Sequence, residues 1–331
     1  MAYIYQKIIG GKPHYYLRAS ARKGTRILTK DIAYLGSTLE DVRVKLDTLP
    51  RPLIRKAHKT IERFFKSNIF LERARALKPK ATPYLSTSRL EDVEACKLHW
   101  EQAARQRDPL TQEEILKAFA IDFCFNTTSI EGNTITLKQA SLLLTEQRTP
   151  SGKTLREIHD LKNTERVFLG VFESIGGISH ESIIDLHREL LKDVDSRFGY
   201  RTSDVHVIRA SFESTPAPYI RADMDILLKW YREHQEKIHP LALAGIVHHK
   251  FEKIHPFFDG NGRTGRMLLN IILIQAGYPP LIVRNRHREE YLSALKKADK
   301  AELTQSPPDA YRPLIEFLAE EYMHGYWDHF L

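Results

Sequence analysis

His255-Pro-Phe-Phe-Asp-Gly-Asn-Gly-Arg-Thr-Gly-Arg266 sets how the rest of this chain is read. Before it, Leu241, Ala244, Val247, His248, Phe251 and Ile254 recur every three or four positions, so an amphipathic helix leads in. After it, the apolar run from Met267 to Ile274 predicts a buried helix leading out. Between them, Gly260, Asn261 and Gly262 can take backbone angles closed to most residues and expose their N–H groups. A glycine-rich turn feeding a helix N-terminus favours an anion, because unpaired N–H groups and the helix dipole both attract negative charge. Arg263 and Arg266, three apart, can present two guanidiniums to the same anion. His255 and Asp259 put a base and a candidate Mg²⁺ ligand at the two ends of one turn. The chemistry suggested is phosphoryl or nucleotidyl transfer.

The 331 residues allow two or three domains, and 42% apolar residues are enough for an ordinary globular core. No apolar run reaches about 18 residues, so no membrane span is expected. The start, Met1-Ala-Tyr-Ile-Tyr-Gln-Lys7, lacks the charged-then-apolar order of a signal peptide. Cys96 and Cys124, each with apolar neighbours on a helix-like stretch, read as buried reduced thiols of a cytoplasmic protein. The net charge of +8 is unevenly placed. Residues 1–60 hold 13 Lys/Arg against 4 Asp/Glu, leaving 37 against 38 for the other 271. The basicity therefore belongs to the N-terminal segment.

Ala2 to Ile9, a Gly10-Gly11 turn, and His14 to Ala19 read as two strands, with a third from Arg26 to Leu35. Tyr3, Tyr5, Tyr15, Tyr16 and Tyr34 stud this sheet among basic residues. Such interleaving suits nucleic-acid binding through residues 1–60, and it equally suits a small sheet holding itself together. Leu39 to Leu77 reads as one or two basic helices, a spacer or a homodimer contact, broken by the Pro79 and Pro83 linker. Arg89 to Gln106 reads as a further helix. Thr111-x-x-Glu114 reads as a capping box opening a helix that runs to about Ile130, and Thr136-x-x-Gln139 as another. Residues 155–200 read as helices, and Tyr311 to Leu331 as a helical tail.

The quoted stretch resembles the signature of the Fic family, His-x-Phe-x-Asp-Gly-Asn-Gly-Arg-x-x-Arg, and matches all eight specified positions. Thr127-x-x-x-Glu131-Gly132 resembles the family's inhibitory helix, in the subclass where that helix precedes the catalytic core. The resemblance implies a mostly α fold, a Fic-type helical bundle with a β-hairpin flap, here preceded by the small β-sheet module and helical spacer. The expected organisation is a basic sheet module at 1–37, spacer and linker at 38–85 and an inhibitory helical region at 86–150. A Fic core at 151–305 and a tail at 306–331 follow.

The resemblance also implies an adenylyltransferase that moves AMP from ATP with Mg²⁺ to a Ser, Thr or Tyr hydroxyl of a target protein, or of itself. His255 would be the base and Asp259 the metal ligand. Gly260, Asn261, Gly262, Arg263, Thr264, Gly265 and Arg266 would cradle the phosphates, and Tyr291 would line the adenosine pocket. Val205, His206, Val207 and Ile208 would form the flap, and Glu131, steadied by Thr127, would pair with Arg266 to inhibit. Asp299 stands where some relatives carry an asparagine near adenine, which leaves the base contacts open. Two rivals remain: another Fic-type transfer, by a kinase or a phosphocholine transferase, and a nucleic-acid-binding regulator using the basic N-terminus.

Overall fold

The computed structural model describes residues 2–23, 26–173, 176–205 and 214–331. They form two compact units, residues 1–76 and residues 77–330.

The first unit opens with strands β1 (Ala2–Ile9), β2 (Lys12–Lys23) and β3 (Arg26–Gly36), antiparallel in the order β1-β2-β3. The β1–β2 turn is Gly10-Gly11, both at positive φ (58° and 77°), as a two-residue hairpin turn requires. Helices α1 (Leu39–Asp47) and α2 (Arg51–Leu77) follow, separated by a break at Leu49 and Pro50. Thr38 caps α1 reciprocally with Asp41. One face of the sheet (Ala2, Tyr15, Leu17, Leu35) packs on Val42, Leu46, Ala57 and Ile61 of the helices, and this is the unit's core.

In the second unit, α3 (Thr87–Gln102) is followed by α4 (Pro109–Ile130). The sequence places the cap of α4 at Thr111, but Asp108 takes it, accepting from the Thr111 N–H at 3.0 Å. Pro109, whose fixed φ suits the first helical position, sets that start. Thr136 and Gln139 do form a capping box, opening α5 (Leu137–Glu146). Then come α6 (Leu155–Glu173), α7 (His180–Leu190), α8 (Ile220–His234), α9 (Pro240–Ile254), α10 (Asn261–Gln275), α11 (Arg288–Ala298) and α12 (Pro308–His329).

Helices α9 and α10 form the hairpin at the centre. Helix α9 is buried from Leu241 to Phe251, and α10 packs on α9, α7, α6 and α4. Phe168 of α6 stacks on Phe119 and Phe123 of α4, tying the helix that ends at Glu131 to the bundle. That packing fixes where Glu131 emerges relative to α10.

Candidate active site

The turn between α9 and α10 is built by its own residues. His255 closes α9 in the left-handed region (φ 53°), donating its N–H to Phe251 O at 2.9 Å. Arg201, whose side chain is fully buried, donates from Nε to the His255 carbonyl at 2.8 Å. Asn261 folds its side chain back on Phe257: Oδ1 accepts from the Phe257 N–H at 2.9 Å and Nδ2 donates to its carbonyl at 2.8 Å. Asn261 thus clamps the loop with its side chain. His187 stacks on Phe257 (ring centroids 3.7 Å apart) and donates from Nε2 to the Asp259 carbonyl at 3.0 Å. Burial pushes His187 down to about 4, so it supports the loop as a neutral ring.

The loop opens on a cleft of about 590 Å³, lined by Glu131, Glu252, His255, Asp259 to Gly262, Arg266 and Tyr291, with Arg288, Leu292 and Leu295 at its side. His255 Nδ1 is buried without a hydrogen-bond partner, and burial holds this imidazole below its ordinary range. It is therefore neutral at pH 7, the form that can accept a proton.

Arg266, on the cleft wall, and the buried Arg263 are already engaged. Arg266 donates from Nη2 to Glu131 Oε1 at 2.6 Å, from Nε to Thr127 Oγ1 at 2.7 Å and from Nη2 to the Thr127 carbonyl at 2.9 Å. Arg263 donates from Nε to Glu131 Oε2 at 2.8 Å and from Nη1 to Asp160, and its Nη2 lies 3.7 Å from Asp259 Oδ1. One carboxylate thus bridges two guanidiniums that are 3–5% exposed, while Glu131 itself keeps 28% exposure. Charge-assisted bonds in such a shielded place are about twice as strong as neutral ones. The carboxylate sits directly over Gly262: a Cβ there would fall 2.4 Å from Glu131 Oε1. Since Gly262 lies in the first turn of α10, Glu131 occupies the place where a helix N-terminus attracts an anion.

Asp259 accepts from the Gly260 N–H at 2.7 Å through Oδ1 and from Arg156 through Oδ2. Among the described residues no cluster of three His, Cys, Asp or Glu could hold a metal by itself. A lone carboxylate is nevertheless what Mg²⁺ uses when phosphates supply its other oxygens.

The other expected site residues divide. Arg263, Thr264 and Gly265 are buried in α10 and do not line the cleft. A Cβ on Gly265 would meet Glu252 Oε1 at 2.7 Å and His248 Nδ1 at 2.8 Å, so Gly265 serves close packing. Tyr291 lines the cleft, and its hydroxyl bonds His248 Nε2. Asp299 accepts from His249 Nε2 at 3.1 Å and is absent from the cleft wall. Val205 is described, and its carbonyl accepts from Ser214 Oγ at 3.4 Å, whereas His206, Val207 and Ile208 lie outside the described residues.

Glu252, Asp160, Arg156, His187 and Arg288, all near the turn or its cleft, escaped the sequence reading. Glu252 has Oε1 buried and partnerless, 4.0 Å from His248 Nδ1, and burial pushes its carboxyl up to about 7. The spacing His248, Glu252, His255 marks one helix face and could have flagged it. Asp160 and Arg156, on α6, carry no such local signal.

Residues 177–273 match the family model described as the Fic/DOC family. The Protein adenylyltransferase Fic of Drosophila ananassae is 32% identical over 206 residues, covering 59% of this chain and 39% of that protein. The protein of the same name from Drosophila melanogaster gives the same figures. The chain thus spans about two fifths of the length of these curated relatives. Among solved structures, a Fic domain containing signaling protein from Bacteroides thetaiotaomicron superposes with TM-score 0.65 at 24% identity, covering 71% of this chain and 95% of that one. A segment of Fic-1 from C. elegans superposes with TM-score 0.62 at 23% identity, covering 88% and 92%. These last two likenesses show the fold.

Proposed function

We propose, from the Fic/DOC match over residues 177–273 and the geometry of the cleft, that this chain is a protein adenylyltransferase moving AMP from ATP to a Ser, Thr or Tyr hydroxyl of a protein, itself included, and that Glu131 holds it at rest. The observation that carries the proposal is the Glu131 carboxylate bridging Arg263 and Arg266 over Gly262, inside the cleft that holds His255. A carboxylate stabilised there marks a pocket shaped for oxyanions. The pocket is also compensated, because Glu131, Asp160 and Asp259 all face Arg263.

In the transfer, neutral His255 takes the proton of the attacking hydroxyl as its oxygen bonds to the α-phosphorus. The bond from that phosphorus to the bridging oxygen breaks, and pyrophosphate leaves. Arg263 would hold the β-phosphate and Arg266 the γ-phosphate, and the backbone of Gly260 to Gly262 would donate to the phosphate oxygens. Asp259 would hold Mg²⁺ arriving with the nucleotide, once Arg156, 56% exposed, swings off its carboxylate. Bound there, the ion would offset the charge that builds on the leaving pyrophosphate. While Glu131 occupies Arg266, the γ-phosphate lacks its guanidinium and the triphosphate settles out of line. A displacement of about 1 Å can cost a hundredfold in rate.

Incubating the Glu131→Gly variant with ATP labelled at the α- or the γ-phosphate tests the reaction class. Protein-bound label from the α position alone supports AMP transfer, and label kept from the γ position means a kinase instead.

A further inference from the structure

The charge of the chain lies in the first unit. Residues 1–76 hold 17 Lys/Arg against 6 Asp/Glu, a balance of +11, leaving 33 against 36 elsewhere. Within that unit the sheet has two unlike faces. Its core face is apolar and covered by α1 and α2. The pairing register puts Tyr3, Tyr5 and Lys7 of β1, Lys12, His14, Tyr16 and Arg18 of β2, and Tyr34 of β3 on the opposite face.

Tyr5, Tyr16 and Tyr34 are cross-strand partners, one row running across all three strands. The Tyr16 and Tyr34 rings lie 5.2 Å apart, and His14 meets Tyr34 at 5.8 Å. The Arg18 guanidinium lies over Tyr5, its Cζ 3.6 Å from the ring centroid, held by two bonds to Asp31 at 2.6 and 3.2 Å. Tyr34 is 47% exposed, and Lys7 and Lys12 are exposed. Tyr3, Tyr5 and Tyr16 are half-buried, so Tyr34 is the tyrosine most open to solvent on this face. The face carries π surfaces flanked by cations, and its one acid, Asp31, is engaged by Arg18.

We infer that this open sheet face docks single-stranded nucleic acid. Unstacked bases would lie on Tyr16, Tyr34 and the fixed guanidinium plane of Arg18, while Lys7 and Lys12 meet phosphates. A single strand is the occupant because stacking needs free base faces, which a duplex hides. The inference is independent of the catalytic proposal.

The test titrates the full chain into a fluorescein-labelled oligothymidylate of about 12 nucleotides, within the site sizes known for such platforms. Binding should weaken roughly 7-fold between about 50 and 200 mM salt, the loss expected if about two phosphates are contacted, those met by Lys7 and Lys12. Lys7→Glu with Lys12→Glu should cost tenfold or more, and Tyr34→Ala about fivefold, with far-UV circular dichroism unchanged. Lys56→Glu with Lys59→Glu on α2, the same change in net charge at exposed positions, should leave binding within about twofold. That control keeps the test decisive if a sheet variant misfolds. Absent or salt-independent binding overturns the inference. So does equal binding of a duplex or of polyglutamate, or an equal loss in the α2 variant, since each reduces the face to undirected charge.

Discussion

Glu131 Oε1 lies 2.6 Å from Arg266 Nη2, joining two side chains 135 residues apart. Thr127, one turn earlier on α4, bonds the same guanidinium through both its hydroxyl and its carbonyl. The end of α4 therefore grips Arg266 from two sides. Releasing Glu131 would leave Arg266 anchored at Thr127 through Nε and Nη2. In our account this arginine is shared between the resting and the working enzyme.

His255 titrates from the neutral side. Burial lowers its pKa from the ordinary 6.5, so transfer by Glu131→Gly should be level above about pH 6.5 and fall as acid protonates the ring. His255→Ala should lose transfer at every pH while calorimetry still detects ATP. Substantial transfer by that variant would remove His255 from the role of base.

Glu252 gives a stability test with a definite sign. Its carboxyl is pushed up to about 7 in the folded chain from 4.5, so folding binds a proton between those values. Its contribution is complete below pH 4.5 and is lost as pH rises through about 7. Glu252→Gln, neutral at all pH, should melt above the parent by roughly 2–4 °C or more at pH 8, and show no such gain at pH 5. An equal difference at both values would mean that Glu252 is ionised throughout.

Gly260 sits at φ +73°, and a Cβ there would fall 2.7 Å from Leu191 Cδ2. Gly260→Ala therefore meets a left-handed backbone penalty of about 1–2 kcal/mol together with a steric clash. Its melting temperature should drop by about 2–8 °C, and transfer should fall because the loop shifts. An unchanged melting curve would show that the turn can relax.

The site was legible where its signal is local. Twelve consecutive residues set the turn, because the helix end, the glycines and the arginines act on their immediate neighbours. Glu131 could be matched to Arg266 through a motif, yet its second bond, to Arg263, was not visible. That contact depends on where α4 lies beside α10, and α4 is tied to the bundle by Phe119 and Phe123 stacking on Phe168 of α6. Asp160 and Arg156 escaped for the same reason: a charge on α6 has meaning only once α6 lies beside the loop. In the first unit the Gly10-Gly11 turn marked the hairpin and three strands were expected, but β2 runs over Lys12–Lys23, longer than the expected His14 to Ala19. The tyrosine row across them required the register, which bulges at Tyr15/Tyr16 and Leu17/Arg18 shift.

Asp259→Asn should raise the Mg²⁺ concentration needed for half-maximal transfer in the Glu131→Gly background, with little effect on folding, since Asp259 is a partly exposed loop carboxylate. A metal titration of the two proteins reads this directly. Superposable curves would place the metal on other ligands.

Auto-modification with α-labelled ATP, comparing the parent chain, Glu131→Gly, and Glu131→Gly with Arg266→Ala, bears most directly on the account. The parent should label weakly, Glu131→Gly at least tenfold more strongly, and the double variant no better than the parent, because the arginine that Glu131 releases is the one productive ATP needs. Equal labelling of the parent and Glu131→Gly would contradict the account and leave Glu131 a structural charge at the end of α4.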